Sequence, residues 1–400
     1  MDLRAFQVEN RTRFTITMST NRRDKAGITT NLIDKGEGTA DMFINMGPQH
    51  PATHGVFRME LALDSELIVD AIPHIGYLHR GSEKLFEHEI YSQIITLFDR
   101  LDYISNFNNE LGLVMAVEKL MDLEVPDRAE YIRVILCELN RIASHLIFIG
   151  TFALDMGALT PSLYNFRDRE KILALFEATS GARMMHNYFR VGGVKQDVVS
   201  EFPARVVTLL DELEAGIDEA DSLLSLGEVF VERTRGIGVI DGEVALDWGL
   251  SGATLRASGV PYDVRVEEPY SVYDRFEFGV PVGSAGDCWD RYYLRVLEAR
   301  ESIKIIRQAL EQIEPGPVMA KVRAIARPPK GEVYVHAENP RGDFGVYLVS
   351  EGAESPYRLK VRPPSFCNLM ALRDLLIGHY IADSVVILGS LDIVLGEVDR

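Results

Sequence analysis

The chain has 400 residues, 46% of them hydrophobic and 26% charged, with a formal net charge of −18. That length suffices for one large domain with an extensive core or for two ordinary ones, and the proportions are those of a soluble globular protein. The acidic balance argues against nucleic-acid binding, because nothing here could neutralise a run of phosphates; otherwise it sets only solubility and long-range steering.

Three cysteines occur, Cys137, Cys288 and Cys367, far apart and never as C-x-x-C. A disulfide framework is therefore excluded, and a cysteine-held metal or iron–sulfur site within the chain is disfavoured. The richest apolar stretches, 146–159 and 375–396, are interrupted by Asp155 and by His379, Asp383 and Asp392, so a hydrocarbon core would reject them. Residues 1–38 carry Arg4, Arg11, Arg13, Arg22, Arg23 and Lys25, but Asp2, Glu9 and Asp24 speak against a transit peptide. They read as a largely extended arm.

In chain order, residues 40–46 predict a strand, followed by a Pro/Gly-rich loop at 47–55. Residues 56–63 alternate apolar and polar as a half-buried strand does, and 66–71 follow as a partner. Residues 83–123 carry helical spacing over two helices or one long one. A helix starts at Pro126-Asp127-Arg128 and runs to about 152, with proline in its first turn. Helices are expected at 167–180, capped by Gly181, at 202–226, and at 287–314 before the breaker Pro315-Gly316-Pro317. After the turn at Pro328-Pro329-Lys330-Gly331, segments 332–336, 346–349 and 358–362 read as an antiparallel sheet. A helix near 366–376 and an apolar segment at 384–395 complete the pattern. The expectation is α+β: a β element over 39–80, a helical core over 81–314 and a β/α part over 328–400, together one domain spanning 39–400.

Four clusters carry candidate chemistry. In Gly47-Pro48-Gln49-His50-Pro51-Ala52-Thr53-His54-Gly55, two prolines and two glycines fix an irregular loop that can approach a ligand closely. Histidines four apart suit a metal on a helix; on a proline-broken loop they do not share a face. Proton donation near neutral pH is the better role, and a histidine bonded only to backbone is the plain alternative. In Pro73-His74-Ile75-Gly76-Tyr77-Leu78-His79-Arg80-Gly81, the arginine either stabilises negative charge near a redox centre or pairs with Glu83. Phe98-Asp99-Arg100-Leu101-Asp102-Tyr103 reads as an ion-pair network with a core aromatic. Asp155, in Phe152-Ala153-Leu154-Asp155-Met156-Gly157, is a carboxylate among apolar neighbours and needs a cation or a donor. A histidine would serve.

Taken together, the first loop, His74-Ile75-Gly76-Tyr77-Leu78-His79-Arg80-Gly81, Asp99-Arg100-Leu101-Asp102-Tyr103, Glu138-Leu139-Asn140-Arg141-Ile142-Ala143-Ser144-His145-Leu146, Leu255-Arg256-Ala257-Ser258-Gly259 and Gly396-Glu397-Val398-Asp399-Arg400 closely resemble the quinone-site subunit of complex I. In bacteria this is the D-subunit of NADH:quinone oxidoreductase, of the same family as the mitochondrial 49-kilodalton subunit. The resemblance covers about residue 40 to 400. It implies the fold of nickel–iron hydrogenase large subunits, with Val394 and Glu397 where that pattern has cysteines. Without thiolates nickel has no ligands, and the resemblance implies a quinone headgroup in its place.

By resemblance His54 and Tyr103 are the headgroup donors and Asp155 the acid paired with His54. His50, Thr53, Gly55, Val56 and Leu395 line the quinone. Arg80 and His186 are near a four-iron cluster carried by a small neighbouring subunit, and NAD is bound by yet another subunit. The expected partners are that small subunit, an adjacent peripheral-arm subunit and a membrane subunit forming the quinone channel. The expected place is the cytoplasmic face of a bacterial inner membrane, with the mitochondrial matrix side as the alternative. Two departures stand out. Gly181-Ala182-Arg183-Met184 is followed by Met185 and only then His186, so that His186 substitutes for a usual histidine or the pH dependence of the cluster potential is weakened; and 315–330 is shorter than in many relatives. An NAD-binding dehydrogenase is the rival enzyme class, but Gly236-Ile237-Gly238-Val239-Ile240-Asp241-Gly242 misses the third glycine of the fingerprint. A purely structural scaffold between redox and membrane modules is the other reading.

Overall fold

The computed structural model describes residues 42–323 and 325–400. The arm expected over 1–38, and residues 40 and 41 of the first strand, lie outside these. Strands β1 (Met42–Met46), β2 (Arg58–Asp64) and β3 (Leu67–His74) form an antiparallel sheet in that order, with Met42 opposite Leu63 and Arg58 opposite His74. The third strand runs three residues beyond the expected end. Between β1 and β2 lies the Pro/Gly loop, with a 3-10 turn at Pro51–Thr53. Gly47 (φ +87°) is required there, because a Cβ would stand 1.9 Å from the carbonyl oxygen of Phe57.

The stretch 83–123 contains three helices, α1 (Ser82–Phe86), α2 (Tyr91–Phe98) and α3 (Asn106–Met121). Apolar spacing continues through the bend at 99–105, but the Asp102 carboxylate accepts from the backbone N–H of Ile104, an alternative to the helix that spacing alone does not reveal. Next come α4 (Asp127–Asp155), α5 (Leu159–Ser180), the short pair β4 (Phe189–Arg190) and β5 (Gly193–Val194), and α6 (Phe202–Ser225). The short helices α7 (Glu228–Thr234), α8 (Gly242–Asp247), α9 (Gly252–Ala257) and α10 (Val264–Glu267) lead to α11 (Cys288–Gln312). A second antiparallel sheet follows, β6 (Gly331–Asn339), β7 (Gly342–Ser350) and β8 (Arg358–Arg362); β6 and β7 turn through Pro340 and Arg341. Helices α12 (Pro364–Met370), α13 (Leu372–Leu376), α14 (Ile381–Ser390) and α15 (Leu395–Asp399) complete the α+β architecture. The apolar segment expected at 384–395 is broken by Asp392, whose φ is +54°.

Helix α4 is the axis. It packs against α3, α5, α11 and α14 and is buried on every face, as a central helix must be. Its polar side chains therefore need internal partners. Arg133 bonds Glu118 at 2.6 Å, His145 meets Glu298 at 3.0 Å, and Glu138 accepts from Arg141, Arg265, Tyr273 and Ser302. Burial by itself would push the Glu138 carboxyl up; Arg141 and Arg265, with the two hydroxyls, hold it down at about 2. Removing one member of such a buried set leaves uncompensated charge. Glu138→Ala is expected to cost roughly 3–5 kcal/mol, because buried Arg141 would lose its carboxylate partner and Arg265 would keep only Asp263. Its measure is the loss of protease-resistant, assembled chain relative to wild type.

Candidate functional site

The loop between β1 and β2 is shaped by its own side chains. His50 caps the 3-10 turn, its Nδ1 accepting from the N–H of Ala52 at 3.2 Å. The buried Thr53 hydroxyl lies 2.8 Å from the carbonyl of His50 and 3.1 Å from that of Gly55. His54 follows in left-handed backbone (φ +53°). That reversal aims its imidazole at the end of α4, where Nε2 meets Asp155 Oδ2 at 2.8 Å. The pair is largely enclosed, with 18% and 14% of the two side chains exposed. Gly389 of α14 closes over it: a Cβ there would stand 3.0 Å from Asp155 Oδ2 and 3.5 Å from His54 Nε2. Of the two loop histidines, His50 is the one bonded to backbone and His54 the one paired with an acid. On the outer side, Pro48, Gln49, His50, Pro51, Gly55 and Val56 line an open hollow of about 680 Å³.

The bend after α2 supplies Tyr103, half-buried. Burial, then the neighbouring Asp102 carboxylate, raises its pKa, against smaller opposing effects of Arg341 and Arg80. The phenol is thus a proton-bearing donor through neutral pH. The loop and the bend meet consecutive residues at the start of α15. A Cβ on Gly55 would lie 3.1 Å from Leu395 Cδ1, and one on Gly396 would lie 3.3 Å from Tyr103 Cδ1. Arg80 closes the same corner, donating to the carbonyls of Arg100 (2.7 Å) and Gly396 (3.1 Å). Glu83, its alternative partner, instead takes Arg358 and Lys360. Asp399 receives the N–H groups of Gly76 and Leu78 at 2.8 and 2.7 Å, fixing the histidine-rich turn to α15.

Beneath Tyr103 lies a buried ionic centre, the ion-pair network expected of the run around Asp102, whose cation the sequence did not single out. Arg341, at the tip of the β6–β7 hairpin, reaches Asp102 at 2.6 Å and Asp392 at 3.1 Å, and donates to Ser105 and Ser144. Glu397, also buried, accepts from the N–H of Ser365; burial and then Asp102 push its carboxyl up to about 8, against the pull of Arg341. The signal available in the sequence was the charge run around Asp102, without any indication that Arg341 is the partner it shares with Asp392. Among the described residues, no group of three or more histidine, cysteine, aspartate or glutamate side chains could hold a metal ion.

His186 is placed apart from this corner. Its ring stacks on Phe107 (4.1 Å, 9°) and meets Phe176 edge-on, and Nδ1 lies 3.1 Å from the carbonyl of Ala182. Burial lowers its pKa to about 4, so the ring is neutral near pH 7.

The class of protein to which this chain belongs, the large subunits of respiratory dehydrogenases, is shown by its relatives. The chain matches the family described as the 49-kilodalton subunit of respiratory-chain NADH dehydrogenase over residues 155–330 and 324–400. It is 52% identical to the NADH-quinone oxidoreductase D-subunit of Carboxydothermus hydrogenoformans over 361 residues, covering 90% of this chain and 99% of that protein. The D-subunits of Clostridium beijerinckii (50% over 367 residues, 92% and 99% covered) and Geotalea uraniireducens (49% over 387 residues, 90% and 99%) are similar. This chain belongs to that family, as a component of a multisubunit oxidoreductase. No helix among the described residues is long and apolar enough to cross a membrane.

Gly389→Val is expected to wedge His54 from Asp155, opening the 2.8 Å contact beyond hydrogen-bond length. Overpacking of this kind costs about 1–3 kcal/mol. A structure of the variant, together with its thermal melt, checks both parts.

Proposed function

We propose that the chain forms the quinone-reduction site of a proton-translocating NADH:quinone oxidoreductase, as one subunit inactive by itself. The observation that carries this reading is the His54–Asp155 pair set in the loop that lines the open hollow, with Gly55 of that loop and Tyr103 packed on the consecutive residues Leu395 and Gly396. Reduction of a quinone adds two electrons and two protons, and charge growing on the carbonyl oxygens needs donors that can surrender protons. Asp155 occupies Nε2 of His54, so Nδ1 is the ring nitrogen left for one headgroup oxygen. Tyr103 Oη serves the other. After His54 gives its Nδ1 proton, the neutral ring keeps Nε2–H for Asp155, and the weakened attraction between them is the local change that couples to proton movement elsewhere in the complex.

Gly55, Val56, His50 and Thr53 would shape the mouth and Leu395 its floor. The electrons would come from a four-iron cluster in a small neighbouring subunit, beside Arg80, while NAD is handled by a further subunit. An adjacent peripheral-arm subunit and a membrane subunit guiding quinone complete the proposed surroundings, at the cytoplasmic face of a bacterial inner membrane rather than the mitochondrial matrix side. The neutral, stacked His186 supports the weaker of the two alternatives posed by its shifted position: a ring that changes charge only near pH 4 lends little pH dependence to a neighbouring potential around neutrality. Val394 and Glu397 supply no thiolate, which supports quinone rather than nickel chemistry in this corner.

The test is Tyr103→Phe and Asp155→Asn in the assembled complex. Removing a positioned proton donor costs about 10²–10⁴-fold, so quinone reduction should fall by at least the lower figure. Electron transfer from NADH to a water-soluble acceptor that draws upstream of the quinone should be unchanged. Normal quinone reductase activity in both variants would leave only the scaffold reading.

A further inference from the structure

Outside this corner, two buried carboxyl groups meet without a cation. Asp99 follows α2 directly and is 1% exposed; Glu110 lies in α3 and is fully buried. One oxygen of each is used by the segment that carries His186. Asp99 Oδ2 accepts from the N–H of Asn187 (3.1 Å), and Glu110 Oε2 accepts from those of Tyr188 (2.9 Å) and Phe189 (2.7 Å). The remaining oxygens, Asp99 Oδ1 and Glu110 Oε1, have no donor among the described residues, although the two side chains are within hydrogen-bond reach of each other. The charged and titratable groups around them are Arg190 of the segment itself, Arg100 beyond α2 and the Cys137 thiol of α4. Arg190 spends its Nη1 on the carbonyls of Asn187 and Phe189 and on the Asn187 side chain. Among the described residues no lysine or arginine bonds either carboxyl.

Three backbone N–H groups in succession match one negative charge, not two. Two carboxylates in contact in a buried site cannot both ionise, whereas one proton placed between the two orphaned oxygens satisfies both. We propose that Asp99 and Glu110 form a proton-binding site that holds one shared proton at neutral pH and so latches Asn187–Phe189, the segment that seats His186. The backbone there needs such a latch. Met185 and Asn187 are both left-handed (φ +58° and +43°), a strain that persists only where surrounding contacts fix it. Burial, then mutual charge, holds the Glu110 carboxyl well up, and burial raises Asp99 to about 6, in line with one proton retained above that pH. This site is independent of the quinone reading.

The signature is a proton released when the segment opens. In the open state both acids are ordinary and ionised above about pH 5.5, whereas the closed state keeps one proton, so the opening equilibrium rises about tenfold per pH unit. Hydrogen exchange of the amides of residues 187–189 in the intact complex, corrected for the intrinsic rate, reads this between pH 6.5 and 8.5. Wild type should lose protection about tenfold per unit, and Glu110→Gln, which mimics the protonated acid and cannot ionise, should show none of that slope. A flat wild-type profile overturns the proposal, whether or not the variant assembles. So does a variant with the wild-type slope.

Discussion

The guanidinium of Arg341 is buried to within 1% and touches two carboxylates, two serine hydroxyls and a backbone carbonyl at once. It projects from the tip of a hairpin, a place where side chains ordinarily meet water. Here the tip is driven inward, and the ion joins the bend after α2 to the turn between α14 and α15. Tyr103 follows Asp102 directly, and Leu395 and Gly396 stand three and four residues beyond Asp392. The distance between the phenol and the last helix thus depends on one charge being matched on both sides. A planar fork with five donors can do this; an ammonium could not address so many acceptors in one plane.

The same economy governs the rest of the interior. A helix buried on every face would normally be apolar, yet α4 carries Arg133, Glu138, Arg141 and His145 at its centre; α3, α11 and the segments around α10 answer Arg133, Glu138 and His145, while Arg141 bonds Glu138 and the carbonyl of Glu338 in β6. These pairs contribute little net stability over hydrophobic substitutes, but each admits only one arrangement of its neighbours. The outcome is that Asp155, the last residue of α4, is delivered to a fixed point beside the loop. His54 reaches it because a left-handed residue in the β1–β2 loop turns the imidazole inward and Gly389 leaves room. The proposed quinone donors are therefore held by rigid elements on one side and by a preshaped loop on the other, which is the arrangement that proton delivery to a bound ring requires.

Much of this was legible beforehand. Helix starts at Pro126-Asp127 and stops at Gly181 fell where expected, since proline in a first turn and glycine at a cap act through local backbone sterics. The short strands at either end were expected, though β6 and β7 are longer than the segments 332–336 and 346–349 because both faces are buried near the hairpin. The bend at 99–105 was missed. Asp102 there bonds backbone and arginine, and apolar spacing carries no trace of either. The Asp99–Glu110 contact was equally invisible, because the acids lie eleven residues apart on either side of a bend whose angle no local pattern encodes.

What the sequence settled alone was membership and local shape: the motif strings, the absence of cysteine pairs, the proline-fixed loop and the order of helices and strands. Those properties are short-ranged, being set by dihedral preferences and by periods of 2 and 3.6 residues. What only the tertiary structure decided was pairing: His54 with Asp155 across 101 residues, Arg341 with Asp102 across 239, and Arg80 with Gly396 across 316. A buried charge takes whichever partner the packing brings within 3 Å, and that choice exists only once the chain has folded.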